Sequence, residues 1–344
     1  MQPQFRIQAD GQDITALIND RLLLLRTTDK PGMESDDFEL RIDARDGAVA
    51  LPSRGAVIEV YLGYAGQPLT LLGRYTVDEV ELSGPPDTLV IRGKASDLRG
   101  SGRTIRSGSW EAVPLQRIVV EIGARNGWQA ICPVTRQVPR VDQYNESDFS
   151  FITRLARQYD CTAKLANDQL LVLPRQAGRS ASGKPLDVVN IARSDVSQWH
   201  FRLDDKATRK AVRTRHQDSA SGELKTVELS NEDAAEEGRP VHTDRHLYPN
   251  RAAAEQAAKA RLASFNRDTA NVRLDLPGRT DLFAERSIDL QGFALGLDGQ
   301  YQIDAVEHVL TGSGWRTTVQ GNGGKAGKVK AKGVAPRRQA AAKA

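Results

Sequence analysis

The chain has 344 residues, 39% hydrophobic and 27% charged, the balance of a folded protein of two or three domains and not of a disordered or fibrous one. Its formal charge of +4 resides in the end of the chain: without the seven basic residues after position 321, 41 basic residues face 44 acidic ones, so the body has no overall nucleic-acid character. No apolar run approaches the roughly 18 residues that span a bilayer, the N-terminus lacks the pattern of a secretory signal, and Cys132 and Cys161 form neither a disulfide framework nor a zinc knuckle; the expectation is a chain that folds in the cytoplasm with two buried thiols.

Residues 1–104 read as an all-β domain. Phe5–Ile7, the alternating Phe38–Ile42 and the apolar Val57–Leu62 are strands, punctuated by turn residues at 29–32, 46–47 and 83–87. The texture changes near Trp110. Leu115, Ile118, Val119 and Ile122 fall on one helical face, after Pro114 and before Gly127, which suits a helix stop. A second helix follows Asn145 or Ser147, burying Phe151, Ile152, Leu155 and Tyr159. Cys161–Ala166 and Gln169–Leu173 then form a hairpin about Asn167-Asp168. Residues 105–185 thus form an α+β module that ends in a Ser/Gly/basic loop. Over 186–321 strands return, at 199–203, 210–216, 223–229 and 286–318, interrupted by an Ala-rich helical insertion near 250–265.

One strand occurs twice. Gly73, Tyr75, Asp78 and Glu81 recur as Gly299, Tyr301, Asp304 and Glu307 in G-x-Y-x-[VI]-D-x-V-E. In both copies the apolar positions switch phase after the Asp, the mark of a bulge. A glycine pair nine residues apart follows each, Gly84 and Gly93 or Gly312 and Gly321. Upstream, Ile58-Glu59-Val60 matches Ile288-Asp289-Leu290. Agreement over three elements predicts a duplicated β-domain.

Candidate chemistry is sparse. Gly178–Lys184 satisfies a phosphate-loop spacing, but Pro185 replaces the metal-binding hydroxyl and no helix follows, so it reads as linker. His242 and His246 are spaced for metal on a helix, but Pro240 and Pro249 bracket them, leaving a surface loop. His308 is in phase with Val306 and Leu310, as a core or interface histidine would be. No nucleophile motif is present, and no cofactor or metal is expected. The tail after 321, with Lys325, Lys328, Lys330, Lys332, Arg337 and Arg338, lacks apolar periodicity and is expected to be disordered. A solvated tail is the plainest reading of these charges, ahead of docking on an acidic protein and then of nucleic-acid binding.

Tyr144-Asn145-Glu146-Ser147-Asp148-Phe149-Ser150-Phe151-Ile152-Thr153-Arg154-Leu155-Ala156 resembles the E-S-D-F-x-F-[LI]-x-R-L-A signature of the late control gene D family of contractile-tailed phages. The Gly299–Glu307 strand looks like that family's closing element, and the resemblance extends over residues 1–321. These proteins are baseplate hubs, similar to R-type pyocin hubs and to the N-terminal part of type VI secretion spikes; no fused spike follows here. The resemblance implies an α+β, mainly β fold with two similar tube-type β-barrel domains flanking the α+β module. It implies a structural homotrimer, not an enzyme, whose partners are itself, a tail tube protein, a central spike protein, a tape measure protein and other baseplate proteins. No membrane or specific nucleic acid is among them. Two barrels in each of three chains would give six quasi-equivalent positions for a sixfold tube. The hub would assemble in the bacterial cytoplasm and reside in the baseplate of a phage tail or tailocin. The alternatives are a tail-associated peptidoglycan hydrolase and a nucleic-acid-binding protein using the basic tail. Within the motif, Phe149, Phe151 and Leu155 read as helix core, with Glu146, Ser147, Asp148 and Arg154 holding the fold. Asp78 and Asp304 are expected to satisfy turn amides.

Overall fold

The computed structural model describes residues 2–32, 36–47, 49–95, 101–166, 169–175, 186–204, 208–218, 221–231, 234, 240–324 and 327–328. The first stretch holds β1 (Pro3–Ala9), β2 (Gln12–Asp13), the short helix α1 (Thr15–Ile18), β3 (Leu22–Asp29), β4 (Asp37–Asp43), β5 (Val57–Tyr64), β6 (Thr70–Ser83) and β7 (Thr88–Lys94). Period-two alternation sends Phe38, Leu40 and Ile42 of β4 and Ile58, Val60 and Leu62 of β5 into one core.

The middle stretch holds β8 (Ile105–Pro114), α2 (Leu115–Asn126), β9 (Gln129–Ile131), β10 (Gln137–Ser147), α3 (Asp148–Gln158), β11 (Cys161–Ala166) and β12 (Gln169–Pro174). Gly127 ends α2 at φ +76°, a conformation that glycine adopts without a Cβ clash. Ser147 caps α3 by accepting from the Ser150 amide at 3.2 Å. The apolar faces of both helices and both cysteines fill a separate core. The 178–184 loop lies outside the described residues.

The last stretch holds β13 (Val189–Ala192), β14 (Gln198–Leu203), β15 (Ala211–Gln217), β16 (Leu224–Ser230), β17 (Val241–Tyr248), α4 (Arg251–Arg267), β18 (Ala270–Pro277), β19 (Ser287–Gln291), β20 (Gly299–Thr311) and β21 (Gly314–Asn322). The insertion is larger than a helix. β15, β16 and β17 form their own sheet, with α4 packed against it. His242 and His246 therefore lie on a strand paired with β15 and not in a loop. Proline at 240 and 249 precludes a helix through them but leaves a strand between.

The remaining strands share one sheet, in the order β14-β18-β21-β20-β3-β4-β7-β6-β5-β1-β2, with β19 beside β20 and β13 beside β19. The order within the two halves is the same: β14, β18, β21, β20, β19 and β13 correspond to β3, β4, β7, β6, β5 and β1. One departure is that β13 pairs with β19 in parallel, whereas β1 and β5 are antiparallel. The path has two ends, so hydrogen bonding closes neither half into a barrel among the described residues. Residues 322–324, 327 and 328 are packed, in contrast to the loose tail expected there. Asn322 ends β21, and the Lys328 amide donates to Thr269 Oγ1 at 2.9 Å. Glycine at 327 permits that contact, since a Cβ there would meet the Asn266 carbonyl oxygen at 2.7 Å.

Candidate assembly interface

The repeated segment forms matching bulged strands. Pairing of β6 with β7 slips between Val77 and Glu79, and that of β20 with β21 slips between Ile303 and Ala305. Asp78 and Asp304 are each the extra residue. Across each slip sits a glycine without room for a side chain: a Cβ on Gly93 would lie 2.6 Å from the Thr76 carbonyl oxygen, and one on Gly321 would lie 2.8 Å from that of Gln302. Tyr75 and Tyr301 are both buried. Tyr75 stacks on Phe38 with centroids 5.4 Å apart and covers Gly73. Tyr301 donates its hydroxyl to the Leu297 carbonyl at 2.7 Å.

The acidic members diverge. Asp78 is exposed, with no hydrogen bond among the described residues, whereas Asp304 accepts from Asn322 Nδ2 at 2.6 Å. Neither accepts from a turn amide among the described residues. Burial pushes the Asp304 carboxyl up to about 6, against the lowering effect of the Asn322 bond. Glu81 accepts from Arg92 at 3.3 Å, while Glu307 sits opposite Thr318 on one side and Thr28 on the other.

That second neighbour marks a seam. β20 pairs antiparallel with β3 from Val306↔Asp29 to Leu310↔Leu25, joining the two halves by backbone hydrogen bonds. Leu310 and Trp315 belong to the core of the first half. Tyr64 donates to the Gly278 carbonyl at 3.0 Å, and its ring lies 5.1 Å from that of Trp315. His308 is buried in the seam with Nδ1 2.9 Å from Thr317 Oγ1. Burial pulls its pKa down to about 4, against the upward pull of Asp29.

The α+β module is tied to this seam. Lys164 of β11 donates to Asp29 at 2.6 Å and to Asp36 at 3.1 Å, and the second Asp29 oxygen accepts the Ala284 amide at 2.8 Å. Burial would lower the Lys164 ammonium, but the two carboxylates outweigh it and hold it above its usual range. Burial also raises the Asp36 carboxyl, assisted by Asp29 and opposed by Lys164. Thr162 donates to Glu285 at 2.9 Å, and Arg267 of α4 donates to Asp160 at 2.9 Å.

The α3 motif is mostly internal. Asp148 is fully buried, accepting from Arg125 Nε at 2.9 Å, Gln143 Nε2 at 2.9 Å and Asn126 Nδ2 at 2.7 Å. Phe151 and Leu155 lie in the core, Phe151 stacking on Trp110 at 5.0 Å. Phe149 is only partly buried and stacks on Trp128 at 5.2 Å. Arg154 is exposed, pairing with Glu146 and donating to the Asp142 carbonyl at 2.9 Å. Of the tail cations only Lys328 is described. Its ammonium donates to the Asp298 carbonyl at 2.9 Å and lies 4.6 Å above the Tyr301 ring centroid. Lys325, Lys330, Lys332, Arg337 and Arg338 lie outside the described residues. Among the described residues no three His, Cys, Asp or Glu side chains cluster as metal ligands.

Comparison with known proteins agrees with this architecture. The profile of the phage tail baseplate hub family (GPD) matches residues 32–314. The probable baseplate hub protein of Escherichia phage P2 is 32% identical over 357 positions, covering 92% of each chain. The tail protein from Neisseria meningitidis MC58 superimposes with a TM-score of 0.70 at 14% identity, over 96% of this chain and 99% of that one. The E. coli c3393 protein, a type VI secretion component, does so with a TM-score of 0.56 at 11% identity, over 93% of this chain and 76% of that one. The two solved structures share the fold, and the sequence matches identify a structural tail component: the chain belongs to the phage tail baseplate hub family.

Proposed function

We propose that the chain is a homotrimeric hub that adapts a sixfold tail tube to a threefold spike, assembled in the bacterial cytoplasm and retained in the baseplate. The supporting observation is a pair of open strand edges whose register follows from the internal repeat. β14 corresponds to β3: Leu25 stands opposite Leu40, and Trp199 stands opposite the equivalent Leu274. β3 is covered by β20, but β14 has β18 on one side and no strand on the other among the described residues. Likewise the end of β6, equivalent to the part of β20 that pairs with β3, has only β7 beside it. Both edges carry solvent-exposed apolar side chains: Leu82 on β6 is 58% exposed, and Trp199 and Leu203 on β14 are 44% and 45% exposed.

Transferring the β3–β20 register to these edges sets β6 of one chain against β14 of the next. Leu82 then falls opposite Phe201, Val80 opposite Leu203, and Glu81 opposite Arg202, a charge-matched pair. Repeated around three chains, this contact closes a ring of six similar units and removes both open edges. The tube would dock on that ring and the spike on the threefold face.

The test is a Leu82→Cys/Phe201→Cys double variant. Directly opposed residues bring Cβ atoms about 4.5–5.5 Å apart, close enough for a disulfide after slight adjustment. Oxidation of purified protein should give a covalent species of three times the chain mass, and neither single variant should. A monomeric or dimeric native mass, or a trimer without this cross-link, overturns the reading.

A further inference from the structure

We infer that a basic groove between α3 and α4 receives an acidic peptide segment of another tail protein. The groove consists of a cleft of about 720 Å³ and an adjoining one of about 540 Å³, which share Arg154, Arg157 and Arg175 along their walls. Arg261 and Arg267 of α4 complete the first. Five guanidiniums thus face two carboxylates, Asp160 and Asp244, in one concavity.

Arg154 is engaged by Glu146 and Arg267 by Asp160, but Arg157, Arg175 and Arg261 make no side-chain hydrogen bond or ion pair among the described residues. Arg267 is 6% exposed, yet its Nη1 has no hydrogen-bond partner, and neither has the buried Nε of Arg175. A buried guanidinium N–H left unmatched costs free energy that an incoming anion would recover. The shared outward face of α3 explains the arrangement: Phe151, Ile152 and Leu155 turn into the core, leaving Arg154 and Arg157 to the groove.

Three features select the occupant. The elongated double cleft suits an extended segment better than a single small anion. The depth of Arg267 suits a slender side-chain carboxylate, and the two carboxylates already engaged there, Asp160 by Arg267 and Asp244 by Tyr248, leave the exposed guanidiniums as the groups an incoming anion meets. The chain's own C-terminal tail is excluded by charge, since it holds basic residues and no acid. The groove does not depend on the ring, so its failure and that of the hub reading are separable.

The test uses the full chain and a fluorescein-labelled twelve-residue peptide of alternating Glu and Gly, read by anisotropy. Wild-type protein should bind it with salt-sensitive affinity. Arg157→Glu/Arg261→Glu, which reverses two exposed rim charges, should weaken binding at least ~10-fold, about 1.4 kcal/mol, with an unchanged melting temperature. Arg157→Lys should stay within ~3-fold. Should the double variant not fold, Arg157→Gln and Arg261→Gln singly should each weaken binding ~3-fold. Unchanged affinity in the reversed or Gln variants overturns the proposal, as does tighter groove-dependent binding of a single-stranded DNA of equal charge, which would make the ligand a nucleic acid.

Discussion

Leu25 and Leu310 stand directly opposite each other across the seam between the two halves of the sheet, both in the core of the first half. A side chain contributed by the second half therefore completes the interior of the first, and the seam is as much a packing contact as a hydrogen-bonded one. Leu310→Ala should destabilise the chain by about 2–4 kcal/mol, measured by urea unfolding. A cost under about 1 kcal/mol would show that the first core closes without it.

The same seam should be acid-sensitive through His308. Its pKa is pulled down to about 4, so between about 6.5 and 4 the unfolded chain takes up a proton that the folded chain refuses. Stability from this residue is complete above the upper limit and falls by up to about 3 kcal/mol toward the lower one. In His308→Gln the loss over that window, followed by chemical denaturation at stepped pH, should shrink accordingly.

Asp304 should act in the opposite sense. With its carboxyl raised to about 6, the folded chain keeps a proton that the unfolded chain loses above about 4. The stabilisation is present at low pH and disappears as pH rises through 6. Asp304→Asn should therefore raise stability at pH 7.5 by about 2 kcal/mol and have little effect at pH 4. Asp78→Asn, at the exposed twin position, should change neither.

Asp148 anchors the family motif as a buried acceptor for three side chains. Asp148→Ala leaves Arg125 without a counter-charge, with only Gln143 Oε1 accepting from it at 2.8 Å, and should cost about 3–5 kcal/mol, whereas Asp148→Asn should cost less because an amide oxygen still accepts. Thermal melts of the two variants would rank them; equal melting temperatures would mean that a neutral acceptor recovers nothing and that the carboxylate charge carries the anchor.

The bulge glycines give a paired test. Gly93→Ala and Gly321→Ala force a Cβ against a carbonyl oxygen and should each destabilise by about 1–3 kcal/mol. Gly312→Ala, with nothing within 4 Å of its Cβ position, should be neutral or stabilising by up to about 1 kcal/mol. A uniform response across the three would remove the steric account.

Local signals in the sequence were strong where one element decides its own fate. The α2 face, its Gly127 stop, a cap at Asn145 or Ser147 and the phase change at Asp78 and Asp304 are all written in residue spacing. The β3–β20 seam was not, because Leu22–Asp29 and Val306–Leu310 are far apart in the chain and nothing in either names the other. The groove was hidden for the same reason: Arg157, Arg175 and Arg261 converge only after folding. The strand through His242 and His246 is not legible in the sequence because its pattern lacks clean alternation. Its register with β15 slips between Arg213 and Arg215.

The insertion of β15–β17 and α4 occurs in the second half alone. In a closed assembly of three chains the paired β-units would recur six times, while these blocks would recur only three times. Neighbours that touch the paired units alone would meet a hexagon; those that touch the blocks would meet a triangle.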